Sequence, residues 1–375
     1  MEQRVSHGGN IYQAARESSS REMADFCDFS ASINPLGIPP SVQRALRTAI
    51  PKIQHYPDPD GWALREAIAE HHRVHPHNVL LGNGTTELIF AIPPALQTHH
   101  GLIVGPTFSE YERALVFAGS RVHSVVAQAH ARYRPPIHEA LEAMKRRRFP
   151  SQAHRGQQLP IDTVFLCNPN SPTGQSVART MVYRVLEEVK RKGGRLIVDE
   201  TFVDFCEEKS VVRRAARDDS LLVLRSFTKF YGIPGLRIGY VVGTEGTLRP
   251  IQDRLPPWSV NTLAQEAALA CLSDTRYKEQ SLRFLCKERQ AFRRGLQRIP
   301  GLSVYPSSAN FVLVELPQPL SSREVTAALL EHGVLVRDCS NYRGLNARML
   351  RFAVRTSRDN SRLISLLRHI VSVGR

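Results

Sequence analysis

Lys229 is the residue of this sequence whose surroundings point most clearly to chemistry. Ser226 and Thr228 precede it closely, and Arg237 follows eight residues later. The chain has eight lysines against 42 arginines, so a lysine here suggests a need for an amine that can lose its proton. A neutral amine can form a Schiff base, which arginine cannot. The two hydroxyl groups and Arg237 are suited to binding a phosphate beside it. A lone lysine is more often a surface cation, but these flanking residues favour the chemical interpretation.

Three further segments place polar groups next to predicted strands. Asp199 and Glu200 follow an apolar run, at the position where open α/β sheets bind ligands. A carboxylate there can keep a pyridine nitrogen protonated; the alternatives are a helix cap or a buried ion pair. Residues 168–174 form a rigid polar turn. Residues 82–87 join a strand to a helix, whose first N–H groups are suited to hold a phosphate.

The pattern of apolar residues predicts the elements that position these groups. Short Val, Ile and Leu runs predict strands at Asn78–Gly82, Gly101–Val104, Thr163–Cys167, Arg195–Val198, Leu221–Arg225 and Ile238–Val242. Helical stretches lie between them at Thr85–Leu96, Ser109–Ala118 and Val177–Lys192. This alternation is typical of an α/β fold with a buried, largely parallel sheet.

The pattern changes after about Arg276, where a smaller α+β domain is expected. Its predicted helices are Tyr277–Arg298, Ser322–Glu331 and Arg358–Val373, and its predicted strands are Leu302–Tyr305, Phe311–Glu315, Val334–Arg337 and Leu350–Val354. We expect a flexible polar segment up to about Ser20. The expected organisation is an N-terminal arm (1–24), a segment that packs with the small domain (25–50), a large domain (51–275) and the small domain (276–375).

Together and in this order, the motifs resemble the fold-type I pyridoxal-phosphate enzymes of the aspartate aminotransferase superfamily. The resemblance extends from about His7 to the last helix. It implies a mainly parallel seven-stranded sheet, pyridoxal 5′-phosphate as cofactor, and a homodimer with shared active sites. It also implies that catalytic Lys229 binds the cofactor covalently and that Asp199 pairs with the pyridine nitrogen. The remaining implied cofactor contacts are Gly84, Thr85, Thr86, Ser226, Thr228 and Arg237 at the phosphate, Tyr111 stacked on the ring, and Tyr56 reaching a neighbouring subunit's phosphate.

Two branches of the superfamily fit best, namely histidinol-phosphate aminotransferase and the threonine-phosphate decarboxylase of cobalamin synthesis. Residues 7–10 and 28–37 resemble N-terminal blocks of the decarboxylase branch. Phe202 lies where the aminotransferase branch usually has Tyr, and Arg355 where it usually has Gly. The decarboxylase resemblance implies a phosphorylated amino acid as substrate, L-threonine O-3-phosphate, converted to (R)-1-aminopropan-2-ol O-phosphate. The implied substrate contacts are His7, Gly8, Ser32, Asn170, Arg337 and Arg351. The alternative is histidinol-phosphate or a related class I/II aminotransferase.

The sequence departs from that branch at two positions. Ser32 and Ser171 stand where the branch usually has Asn. A serine side chain is shorter than asparagine, so Asn170 or a water is expected to donate to the cofactor's ring oxygen in place of Ser171. His7 has a second interpretation, because a histidine in a polar arm is more often solvated than bound to a ligand.

Composition sets wider limits on the function. The formal net charge is +15, which suits either small phosphates or nucleic acid. The basic run at 145–148 favours a solvated helix end, so a basic nucleic-acid-binding protein is a distant alternative. No stretch reaches the roughly 18 apolar residues of a membrane span. The six scattered cysteines include no metal-binding pair and indicate free thiols in the cytoplasm.

Overall fold

Strands rich in Val, Ile and Leu alternate with helices along most of the chain. The structure, a computed structural model, describes residues 7–18, 21–146, 148–150 and 158–374. In chain order, the strands are β1 (Cys27–Asp28), β2 (Val79–Gly82), β3 (His100–Gly105), β4 (Arg121–Val126), β5 (Arg148–Pro150), β6 (Gln158–Pro160), β7 (Thr163–Cys167), β8 (Arg195–Asp199), β9 (Leu221–Ser226), β10 (Gly239–Val242), β11 (Ser303–Val304), β12 (Phe311–Glu315), β13 (Val334–Leu335), β14 (Arg337–Asp338) and β15 (Met349–Ala353).

The helices cover the sheets and connect their strands. In chain order, they are α1 (Ile11–Glu17), α2 (Pro40–Ala49), α3 (Trp62–His72), α4 (Gly84–Ala95), α5 (Glu110–Phe117), α6 (Ile137–Arg146), α7 (Arg179–Arg191), α8 (Val212–Ala215), α9 (Glu245–Gln252), α10 (Thr262–Ser273), α11 (Thr275–Gln297), α12 (Ser322–Glu331) and α13 (Ser357–Val373).

The central sheet has seven strands in the order β2-β10-β9-β8-β7-β3-β4. All neighbours run parallel except β10, which is antiparallel to β2 and β9. Successive residues of one strand belong to different core clusters: Leu102 and Val104 pack with one, and Ile103 with the other. Both faces of the sheet are therefore buried, which explains the continuous apolar runs. The predicted α/β fold with a mainly parallel seven-stranded sheet is confirmed.

A second, antiparallel sheet has the order β11-β12-β15-β14 and lies in the C-terminal part of the chain. Its core includes Phe292, Val312 and Leu363. Cys27 and Phe29 belong to the same core cluster, although they lie far away in the sequence. Residues 27–29 thus pack against the C-terminal elements, whereas Val42 of α2 belongs to the core cluster of the large sheet. The proposed packing of residues 25–50 as one segment with the small domain stays a prediction.

The prediction of a flexible segment up to about Ser20 is wrong for residues 11–17, which form helix α1. The side chain of Asn10 accepts a hydrogen bond from the backbone N–H of Gln13 and caps this helix. Ala14 packs with Phe26 and Leu335. Burial of this small apolar face stabilises a helix too short to be stable alone.

The predicted single strand Val334–Arg337 is also wrong, because the segment divides between two sheets. Val334–Leu335 pairs in parallel with Cys27–Asp28, whereas Arg337–Asp338 pairs with the strand that contains Arg351. The division gives the two ends of one short segment different partners. It joins the N-terminal residues to the C-terminal sheet.

Candidate active site

One edge of the seven-stranded sheet gathers most of the polar residues predicted to do chemistry. Strands β2, β3, β7, β8 and β9 are parallel to one another, so their carboxyl ends lie at the same edge. Arg237 reaches this edge because β10 runs the opposite way and begins there. The edge forms one wall of a cavity of about 220 Å³. Thirteen predicted site residues line it: His7, Gly8, Ser32, Thr85, Thr86, Tyr111, Ser171, Asp199, Thr228, Lys229, Arg237, Arg337 and Arg351.

Lys229 lies just beyond the end of β9, and its amine faces this cavity. Its backbone oxygen accepts a hydrogen bond from the N–H of Asn34, which fixes the loop. Burial, and then the positive charges of Arg351 and Arg237, lower the pKa of Lys229 to about 8. A substantial fraction of this amine is therefore neutral near physiological pH, as a nucleophile or proton acceptor requires.

Asp199 ends strand β8 and is almost fully buried. One carboxylate oxygen accepts a hydrogen bond of 2.8 Å from the backbone N–H of Thr201, and the other accepts one of 2.7 Å from the hydroxyl of Tyr111. Burial, and then the charge of Asp199, raise the pKa of Tyr111 well above its usual value, so the phenol stays a donor. Two donors therefore hold the carboxylate at the cavity wall.

The start of helix α4 forms the next part of the wall. Gly84 has a φ of +74°, and a Cβ there would overlap the guanidinium of Arg237. Thr85 and Thr86 follow in the first turn of α4 and line the cavity together with Arg237. The backbone N–H groups and hydroxyls of this turn are therefore near the guanidinium. A helix N-terminus beside an arginine is a strong anion site. Glycine is needed here both for its left-handed conformation and for the close approach of Arg237.

Two predicted residues lie behind this wall and not in it. Ser226 is buried, and its hydroxyl is 2.7 Å from that of Thr228, so it contacts the cavity only through its neighbour. Asn170 is buried too, and its Nδ2 donates to the oxygens of Pro106 and Thr173 at 2.8 Å. This amide therefore holds two loops together.

Arg337 and Arg351 lie directly opposite each other on neighbouring strands β14 and β15. Arg351 donates to the hydroxyl of Ser171 and to the backbone oxygen of Ser30, both at 2.9 Å. Arg337 donates to Oδ1 of Asn341 at 3.0 Å. Both arginines are buried, and they line the same cavity. Two buried cations so close together favour a ligand with more than one negative charge.

Three buried side-chain atoms in or beside the cavity have no hydrogen-bond partner within the described ranges. They are Ser32 Oγ, Asn170 Oδ1 and Arg351 Nε. Buried polar atoms are normally hydrogen-bonded, so unpaired ones at a cavity indicate a ligand. A phosphorylated pyridine aldehyde fits this set of groups. The set consists of the Lys229 amine, the Asp199 carboxylate, the anion site at Gly84 and the three unpaired atoms.

Tyr56 and the basic run lie away from the cavity. The Tyr56 side chain is 80% exposed and stacks on Trp258 with ring centroids 4.7 Å apart. Lys145 donates to Glu142 at 3.3 Å, the behaviour of a solvated helix end, and Arg147 lies outside the described residues.

The sequence reasoning missed several residues of the cavity wall. Phe108 and Tyr342 contribute aromatic surface, and Cys167 and Thr201 line the wall near Asp199. Cys167 and Thr201 lie at or near the carboxyl end of a predicted strand, so the sequence could have indicated that they belong to the site. Glu110, which contacts His7, had no such signal, because the two residues lie 103 positions apart.

Comparison with known proteins agrees with this fold and site. Residues 24–370 match the family of class I and II aminotransferases. The chain is 36% identical to threonine-phosphate decarboxylase of Salmonella typhimurium over 98% of this chain and 96% of that protein. The structure of histidinol-phosphate aminotransferase from Clostridium acetobutylicum superimposes with a TM-score of 0.82 at 28% identity, covering 92% and 99% of the two chains. That of L-threonine-O-3-phosphate decarboxylase from Porphyromonas gingivalis gives 0.78 at 27%, with the same coverage.

The fold and the site define a pyridoxal-phosphate enzyme with the architecture of aspartate aminotransferase. The chain belongs to the class I and II aminotransferase family. The predicted family and the predicted cofactor, pyridoxal 5′-phosphate, are thereby confirmed. Within the described ranges, the helices are too short or too polar to cross a membrane, and His, Cys, Asp and Glu residues do not form a group suited to a metal ion.

Proposed function

We propose that this enzyme is a pyridoxal-phosphate-dependent carboxy-lyase. Its substrate is L-threonine O-3-phosphate, and its product is (R)-1-aminopropan-2-ol O-phosphate, for the nucleotide loop of cobalamin. The observation that most supports this is the position of Arg337 and Arg351, which are paired across two strands and line the same cavity as Lys229. The full-length similarity to a threonine-phosphate decarboxylase supports the same reaction.

The residues at the sheet edge would hold the cofactor. Thr85, Thr86, Thr228 and Arg237, with the turn at Gly84 and with Ser226 behind Thr228, would bind its phosphate. Asp199 would pair with the ring nitrogen, Tyr111 would support the ring, and Lys229 would attach to it covalently. When bound, the pyridine ring supplies an acceptor for the electron pair released when a bond at the substrate's Cα breaks. Ser171, which lines the cavity, would lie near its ring oxygen, with Asn170 behind it.

The arginines decide which bond at Cα breaks. The residues that orient the substrate would select which bond at Cα is aligned to release its electrons to the cofactor, and so would select the reaction. Arg337, Arg351 and His7, with Gly8 and Ser32, would bind the substrate phosphate and so orient the substrate for loss of its carboxylate. Fixed charges in a closed cavity act strongly because no solvent has to reorganise.

Lys229 would then move the proton that completes the reaction. After carbon dioxide leaves, the Cα atom needs a proton, and the Lys229 amine lines the same cavity. Its pKa of about 8 suits this task, because an acid is most effective when its pKa lies near the working pH.

We further infer a cytoplasmic homodimer in which Tyr56 reaches the partner's site. The exposed, stacked pair of Tyr56 and Trp258 supports the dimer, since contiguous exposed apolar surface marks an interaction site. The six free cysteines support a reducing compartment.

A histidinol-phosphate aminotransferase is the second candidate, supported by the TM-score of 0.82 with such an enzyme. A paired assay separates the two. The decarboxylase must release carbon dioxide from threonine phosphate without any keto acid. Conversion of histidinol phosphate only when 2-oxoglutarate is present would instead favour the aminotransferase. Lys229→Ala is the inactive control, and Lys287→Ala, at an exposed lysine, is the active one.

A further inference from the structure

His7 contacts a buried carboxylate outside the lining of the cavity. Its Nε2 lies 2.9 Å from Oε1 of Glu110, the first residue of helix α5. The Glu110 side chain is only 4% exposed, and its second oxygen accepts a 2.7 Å hydrogen bond from Arg113. The cofactor and substrate contacts proposed above leave this carboxylate without a role.

The chain around His7 is fitted closely to the cavity. The backbone N–H of Gly9 donates to the hydroxyl of Ser30 at 2.7 Å, and that hydroxyl donates to Asp28 at 2.6 Å. A Cβ at Gly8 would overlap the backbone oxygen of Ser30. The ring of His7 lies 5.6 Å from that of Phe108. The backbone is therefore fixed, whereas the imidazole itself is restrained, among the residues that the structure describes, by Phe108 and Glu110.

The contact with Glu110 determines which ring nitrogen remains available. A carboxylate only accepts hydrogen bonds, so Nε2 must carry the hydrogen. Nδ1 is then the nitrogen left for a ligand in the cavity, which His7 lines together with Arg337 and Arg351. In the imidazolium form Nδ1 also carries a hydrogen, which it can donate to a phosphate oxygen while Nε2 donates to Glu110. An amide at position 110 presents either an oxygen or an NH2 group to Nε2, so it does not fix which ring nitrogen carries the hydrogen.

We propose that Glu110 is a positioning residue that fixes the His7 ring so that Nδ1 contacts the substrate phosphate; this rests on the function proposed above. Glu110 acts through His7 and touches neither substrate nor cofactor. Loss of its carboxylate should therefore weaken recognition of the phosphate group specifically. The chemical step at Cα should change little, because Glu110 does not line the cavity.

Binding can be measured without turnover in Lys229→Ala protein saturated with pyridoxal phosphate. Calorimetric titration with O-phospho-L-threonine and with L-threonine compares the two ligands directly. Adding Glu110→Gln should weaken phosphothreonine binding about tenfold or more, the loss expected for a charged hydrogen bond, and leave threonine binding unchanged. In enzyme with Lys229 intact, KM should rise by the same factor while kcat stays within about twofold.

Two comparisons separate this role from general effects. Glu112→Gln removes the same charge from the same helix, but its partner Arg343 is an exposed side chain, so it should leave binding unchanged. His7→Ala with Glu110→Gln should bind no more weakly than His7→Ala alone, because both changes remove one interaction. Equal effects of the changes at positions 110 and 112, or additive losses in the double variant, would overturn the proposal.

Failure of the proposed function has a different signature. If the Lys229→Ala protein binds phosphothreonine no better than threonine, both the function and the role of Glu110 are wrong. If it prefers phosphothreonine and Glu110→Gln keeps that preference, only the role of Glu110 is wrong. Should circular dichroism show that Glu110→Gln is unfolded, Glu110→Asp replaces it: a weaker preference for phosphothreonine supports the role, and an unchanged one overturns it.

Discussion

The hydroxyl of Tyr111 donates a 2.7 Å hydrogen bond to Oδ2 of Asp199, although the two residues lie 88 positions apart. The Tyr111 ring is fully buried and stacks on Phe165 with centroids 5.1 Å apart. The sequence predicted both residues as contacts of the cofactor ring, but not this bond between them. The carboxylate proposed to meet the pyridine nitrogen is thus already oriented by a neutral donor.

Replacing Tyr111 by Phe keeps the ring stack and removes that donor. We expect the free energy of unfolding of the cofactor-free enzyme to fall by about 1–3 kcal/mol, because Asp199 loses a buried hydrogen bond. Cofactor affinity should stay the same or rise, since Oδ2 becomes free for the ring nitrogen. Urea unfolding and pyridoxal phosphate titration measure the two quantities. A tenfold loss of affinity would instead make the hydroxyl part of cofactor binding; Tyr12→Phe, at an exposed position, is the control.

Attachment of the cofactor should depend on pH through Lys229. An ordinary lysine stays protonated until about pH 10.4, whereas burial and two arginines lower the pKa of Lys229 to about 8. Since only the neutral amine attacks an aldehyde, the attachment rate should rise with pH and level off above about 8. Rapid mixing of cofactor-free enzyme with pyridoxal phosphate, followed by near-visible absorbance, gives the profile.

Arg351→Gln removes the larger of the two charge effects on Lys229 and should move this inflection to higher pH. Lys229→Ala should show no attachment at any pH. A rate that continues to rise through pH 10 in the unmodified enzyme would contradict the lowered pKa.

Gly84→Ala should weaken cofactor binding by tenfold or more. The new Cβ would overlap the Arg237 guanidinium and would also require a left-handed residue other than glycine. Gly119→Ala is a matched control, because Gly119 has the same φ of +74° and nothing within 4 Å of the added atom. If the two variants bind pyridoxal phosphate equally well, the contact with Arg237 does not shape the phosphate site.

A shared active site predicts complementation between two inactive variants. Equal amounts of Tyr56→Ala and Lys229→Ala chains are unfolded together and refolded. Half of the dimers should then be mixed, each with one intact site, so the mixture should have about a quarter of the normal activity. Neither variant alone should approach this value. Refolding Lys287→Ala with Lys229→Ala controls for recovery of dimers. The absence of any gain on mixing would contradict the proposed role of Tyr56.

The sequence allowed the sheet edge to be predicted because each site segment there follows a recognisable buried strand. Asp199 ends one buried strand and Lys229 lies three residues beyond the end of the neighbouring parallel strand, so topology alone brings them together. The arm was harder to predict, because α1 has only seven residues and is stabilised by Phe26 and Leu335, which the local pattern does not reveal.

Contacts between side chains on different loops were beyond the sequence. Asn170 was expected at the cofactor, but its Nδ2 bonds to the backbone oxygen of Pro106 on another loop. Ser171 stands where the related enzymes usually have Asn, and its hydroxyl accepts from Arg351. Such pairings depend on the distance between two loops, which spacing along one chain does not fix.

The fate of the two ends of the substrate tests the central claim most directly. O-Phospho-L-threonine labelled with ¹³C in its carboxylate and ¹⁵N in its amino group is incubated with the enzyme and 2-oxoglutarate, and the products are analysed by mass spectrometry. The account predicts one labelled carbon dioxide for each substrate consumed, with the ¹⁵N retained in aminopropanol phosphate. Transfer of the ¹⁵N to glutamate, with the ¹³C kept in a phosphorylated keto acid, would contradict it.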